Sequence, residues 1–177
     1  MTRRAAILLA LATALALPAA TAAKTNPCAA DQRLVNAWHK VLADNSKITA
    51  RQTAILQEMF RRAANNQPVP RELTDELRSL VAKNRTQLAA GERRIVLIKP
   101  GTANGRELKR LVLRFIREVA RPLNTCIGKF LVADTAEEFQ EVGACVDSSS
   151  RARVSLSRAI DKSLAKMRTT RSPCVKG

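Results

Sequence analysis

The chain is poor in aromatic residues: it has no tyrosine, one tryptophan and four phenylalanines among 177 residues. That scarcity argues against sequence-independent binding of single-stranded nucleic acid, where bases stack on aromatic rings set among cations. No helix-turn-helix or other duplex-reading motif can be isolated, so nucleic acid is an unfavoured partner. A core for this chain must be made of Leu, Ile, Val and Ala. There is one histidine, His39. A metal site or a histidine-based triad would need further ligands or partners at matched spacing, and none is evident. No C-x-x-C-H is present for covalent haem, and Met59 and Met167 read as core fillers. The sequence therefore implies no catalytic residue, no metal and no cofactor, and points away from an enzyme. The cluster Glu137, Glu138 and Glu141 reads as negative charge complementing a helix start.

No apolar run reaches the roughly 20 residues needed to cross a hydrocarbon core. The longest, Ala5 to Leu17, follows Arg3-Arg4 and precedes Pro18 and Ala20-Thr21-Ala22. A positive start, a short apolar stretch and a small-residue box form a secretory signal peptide. The expected division is a signal at 1–23 and one basic domain at 24–177, periplasmic or secreted. The mature length suits a single domain.

Acids are the other shortage, at 15 against 31 Lys and Arg, for a net charge of +16. Such an excess attracts anionic partners over long range. Along the sequence it is spread evenly, with no separate basic tail. All four cysteines, Cys28, Cys126, Cys145 and Cys174, lie after the signal. An even count in an exported chain predicts two disulfides. Cys126–Cys145 and Cys28–Cys174 are favoured among three connectivities, the first stapling a helical turn and the second tying the chain ends.

Apolar spacing is helical almost throughout. Asn26-Pro27 offers an N-cap followed by proline at the first helical position. A first helix ending near Asp44-Asn45 and a second beginning at the Thr49–Gln52 capping box are expected. Further starts are expected near Pro70, at Asn104–Glu107 and at Asp134–Glu137. Ala89 to Lys99 reads as continued helix, although Ile95 to Ile98 also suits a short strand. The helix from Gly105 should stop before Pro122, and Ser148 to Ser150 should bend or break the last one. Asn84-Arg85-Thr86 is a glycosylation sequon, but Asn84 falls on an inward stripe. The sum is an all-α, disulfide-stapled bundle of about five or six helices.

One feature points to binding. Arg106, Arg110, Arg114, Arg117 and Arg121 fall along one stripe of a helix, opposite Leu108, Leu111, Phe115 and Val119. Guanidinium groups fork onto carboxylates, phosphates and sulfates. The leading expectation is a non-enzymatic binding protein that presents this face to an acidic protein, as an inhibitor, immunity or adaptor module does. A binder of anionic envelope polymers or membrane surfaces is the second reading, and an enzyme of unrecognised type the third.

Overall fold

A computed structural model describes residues 26–133 and 135–169. The expected signal peptide at 1–23, Asp134 and Cys174 lie outside the described residues. Every element of the described chain is a helix, with no strand among the described residues. Its elements are α1 (Pro27–Ala64), α2 (Arg71–Leu97), α3 (Ala103–Phe115), a π-helical turn (Ile116–Ala120), α4 (Arg121–Phe130) and α5 (Ala136–Thr169). Since α3, the π turn and α4 run on without a break, the described residues form four rods, fewer than the five or six expected.

The start of α1 follows the sequence: Pro27 sits in the first turn, and the Asn26 side chain accepts from the Cys28 N–H at 3.0 Å. The expected break at Asp44–Thr49 does not occur. Local polar residues are absorbed instead: Lys40 pairs with Asp44, and the Ser46 hydroxyl bonds back to the Ala43 carbonyl at 3.0 Å. Gln52, expected as a capping residue, is buried, because Ile48 and Ile55 carry the inward stripe straight through. The chain turns at Asn66, whose φ of 53° is left-handed, a conformation asparagine tolerates well.

The α2 helix continues to Leu97, so Ile95 to Ile98 is not a strand. α3 starts two residues earlier than expected, with Thr102 as its cap accepting from the Gly105 N–H. Pro122 does not end the rod. A proline has no N–H and its ring crowds the carbonyl four residues back. The π turn just before it widens the helix, with the Arg121 N–H reaching the Ile116 carbonyl. α5 is capped one residue later than expected. The Thr135 hydroxyl accepts from the Glu138 N–H at 3.2 Å, while the Glu138 carboxylate accepts from the Thr135 N–H at 3.0 Å. Ser148 to Ser150 leaves α5 unbroken, since the Ser149 hydroxyl donates to the Cys145 carbonyl inside the helix.

The rods bury two apolar clusters. The larger joins Leu34, Val35, Trp38 and Val41 of α1 to Leu88 and Ile95 of α2, to Leu108 through Ala120, and to Leu156, Ile160 and Met167 of α5. The smaller holds Ile55, Leu77, Val81 and Ile127. A buried amide network lies beside the smaller cluster. Asn124 accepts from Gln52 at 3.3 Å and from Asn84 at 3.2 Å, and donates to the Val81 carbonyl at 3.0 Å. Asn84 is thus inward, as its phase implied, and the folded chain hides its sequon. Cys126 and Cys145 stand at disulfide distance, their Cα atoms 5.8 Å apart, joining α4 to α5 as expected. Cys28 is also disulfide-bonded, and its expected partner Cys174 falls among the residues not described.

At the far end of α1, Glu58 accepts from both Arg61 and Arg62 at 2.7–2.8 Å. These hydrogen bonds hold its carboxyl down to about 2. A carbon-detected NMR titration is expected to find Glu58 ionised well below ordinary glutamates. Because the folded value is the lower one, the pairing favours the folded state above the usual carboxylate range. That support fades as pH falls toward 2. A midpoint near 4.5 would show the fork to be absent in solution.

Candidate functional site

The five arginines of the expected binding stripe all lie exposed on the rod at 103–130. Four of the five are occupied within the protein. Arg110 makes a two-bond fork with Glu107, at 2.7 and 3.0 Å, and Arg114 makes one with Glu118, both bonds at 2.9 Å. Hydrogen bonding to these arginines holds the Glu107 and Glu118 carboxyls below the usual range and raises the arginines in turn. Arg117 and Arg121 converge on Glu92 of α2. Arg117 donates to Oε1 at 2.7 Å, and Arg121 approaches Oε2 at 2.5 Å, off the hydrogen-bond axis. The Glu92 side chain is only 11% exposed, so this is the best shielded of the pairs. Only Arg106 of the stripe makes no ion pair among the described residues.

Nearby acids in sequence hinted at the first two pairings. Glu92 could not be seen there, being 25 residues from Arg117. Its position follows from the packing of α2 against the π turn and α4.

The unneutralised charge sits elsewhere, and the fold collects it. Residues 26–45, 86–120 and 150–169 surround the larger apolar cluster and carry 16 Lys and Arg against six Asp and Glu. The remaining described residues, around the smaller cluster, carry 10 against eight. α5 is divided in the same way. Glu137, Glu138, Glu141 and Asp147 occupy its first half, while Arg151, Arg153, Arg158, Lys162, Lys166 and Arg168 occupy its second. The even spread along the sequence becomes one basic end in the folded chain.

At that end α2 stops with its apolar side chains in solvent. Leu97 is 80% exposed and Val96 45%. The Lys109 ammonium donates to the Val96 and Ile98 carbonyls, each at 2.7 Å, and so closes the helix C-terminus. A shallow depression of about 490 Å³ is lined by Ala89, Glu92, Arg93, Val96, Leu97 and Arg121. Arg93, Arg94 and Lys99 flank the two apolar residues and form no ion pair among the described residues. The apolar step at Val96–Leu97 therefore adjoins the expected stripe through Lys109 and Glu92.

A second constellation ties α1 to the α2–α3 connection. Asp31 is fully buried. It accepts from the Gly101 N–H at 2.9 Å and from the Thr102 hydroxyl. Gly105 faces the same carboxylate so closely that a Cβ there would overlap it, and a Cβ on Gly101 would strike the Pro27 backbone. All the acceptor capacity seen here is spent on the fold, which makes Asp31 a positioning residue for the basic end.

No group of three metal-ligating side chains occurs among the described residues, and no described helix is long and apolar enough to cross a membrane. Comparison with protein families, curated proteins and solved structures finds no match for this chain.

Proposed function

We propose that the chain is an exported, non-enzymatic interaction protein that binds an acidic partner protein, in the manner of an inhibitor, immunity or adaptor module. Export rests on the signal-like residues 1–23 and on the paired cysteines, which suit an oxidising periplasmic or extracellular setting. The Cys28–Cys174 bridge belongs to this reading.

The observation that carries it is the exposed Val96–Leu97 step among Arg93, Arg94 and Lys99, cations that form no ion pair among the described residues. Arginine mixed with accessible apolar surface is the composition of protein interfaces. The surface is therefore shifted from the expected stripe. Arg106 remains within it, joined by Arg93, Arg94 and Lys99. Arg110 and Arg114 are largely neutralised, while Arg117 and Arg121 form its edge through Glu92.

The test is capture from envelope extract on the oxidised protein, followed by affinity measurement on the purified acidic partner. Leu97→Ser is expected to weaken binding roughly tenfold, as the loss of one buried leucine would. Gln at Arg93, Arg94, Lys99 and Arg106 together should abolish retention at moderate salt, whereas Gln at Arg110 and Arg114 should matter little. The concentration of charge at one end equally favours anionic polymers or membrane surfaces as ligands. That reading predicts capture insensitive to Leu97→Ser and lost steeply with salt. Binding unchanged in all variants would dismiss the basic end altogether.

A further inference from the structure

We infer that the cleft between α1 and α5 is a binding site for a small zwitterion with apolar side chains, an α-amino acid or short peptide with free ends. The site is separate from the partner surface proposed above and stands on different observations. The cleft has a volume of about 500 Å³. That is within the range of small-molecule sites, about 300–1,000 Å³.

Its floor is aromatic and apolar. Trp38, Phe115 and Ile160 are each less than 10% exposed and line the cleft. Trp38 and Phe115 meet edge to face, with ring centroids 5.4 Å apart. In a chain with so few aromatic residues, the single tryptophan and the one buried phenylalanine meet here.

Its rim is polar and carries both signs. Ser157, Asp161 and Arg168 are spaced four and seven residues apart on α5, which sets them on one face. His39 stands opposite on α1. None of the four makes a side-chain hydrogen bond or ion pair among the described residues. Asp161 lies among cations. It is the sole acid among residues 150–169, surrounded by six Lys and Arg. Arg158 and Lys162 share its helix, yet neither forms an ion pair with it among the described residues. Elsewhere Asp44, Glu58, Asp75, Glu76, Glu92, Glu107 and Glu118 are paired, while Glu72, Glu137, Glu141 and Asp147, like Asp161, form no ion pair among the described residues.

The charges select the ligand. A simple anion would meet Asp161, and a simple cation would be repelled by the basic end as it approached. A zwitterion is neutral at a distance and satisfies both rim charges at contact. Its ammonium goes to Asp161, its carboxylate to the Arg168 fork, and its side chains to the Trp38–Phe115 floor.

Trp38 reports on the site, being the only tryptophan. Titrating the oxidised protein with leucyl-leucine should give a saturable change in its fluorescence, and titration with leucine alone will tell whether one residue suffices. Asp161→Asn should weaken the free peptide roughly tenfold or more, the worth of one charge-assisted contact. The same variant should bind the N-acetylated peptide no worse than wild type does. Arg168→Gln should behave likewise toward the C-amidated peptide. Both positions are exposed, so thermal midpoints should hold, which separates lost binding from lost fold. No saturable change through roughly 10 mM of either ligand, or equal losses for free and blocked peptides, overturns the inference.

Discussion

Replacing Asp31 with alanine is expected to cost about 2–3 kcal/mol of stability, measured as a fall in the urea midpoint at unchanged slope. The carboxylate is fully buried and holds two donors, the Gly101 N–H and the Thr102 hydroxyl, from a connection 70 residues away in sequence. Hydrogen bonds to a charged acceptor are worth about 1.5–3 kcal/mol each. Gly101 retains access to water, which limits the loss. The damage should be local in kind. Thr102 caps α3, so amide exchange should quicken first in the opening turn of α3. Asp31→Asn keeps the shape and one acceptor oxygen, and should recover part of the loss. A change below about 0.5 kcal/mol, the ordinary range for surface positions, would show that the loop needs no carboxylate.

Loss of the Cys126–Cys145 link should be comparably large. The two residues are separated by 19 in sequence. The chain-entropy account puts closure of such a loop at about 3 kcal/mol, exerted mainly on the unfolded state. The pair of Cys→Ala substitutions should lower the unfolding midpoint while leaving helix content unchanged. Cys126 is fully buried. Cys145 is half-buried, so reductant should reach the bond mainly when α5 lifts from α4, and reduction should be slow in the native state and fast in urea. Immediate reduction of the folded protein would mean that the first half of α5 is open in solution.

The sequence yielded the helices wherever the information was local. Asn26-Pro27 marks the start of α1 because cap and proline act within one turn. Leu73, Leu77, Val81 and Leu88 give away α2 because they repeat at helical spacing. The expected breaks at Asp44–Thr49, Pro122 and Ser148–Ser150 failed because tertiary packing outweighs weak helix preference. Buried stripes run through all three places, with Gln52, Asn124 and Ser149 among them, and the π turn removes the conflict with Pro122. The arginine stripe was legible as a pattern but not as a charge. Glu92 reaches it from another helix, as Asn124 reaches Gln52 and Asn84. Asp31 reads as an ordinary polar residue, because the backbone that needs it follows 70 positions later. No window along the chain shows that the second half of α5 and the first half of α1 will both pack on α3 and face each other across a cleft.

That arrangement has a mechanical consequence. With ten net positive charges around one apolar cluster and two around the other, the molecule is an electric dipole as well as a cation. A uniform cation is merely pulled toward an anionic body, but a dipole is also turned. Torque acts before contact, over a Debye length of about 8–10 Å at physiological salt. The protein would therefore arrive at an acidic surface end-first, with Leu97 leading and the acidic half of α5 trailing. Raising the ionic strength would remove the steering before it removed the fit.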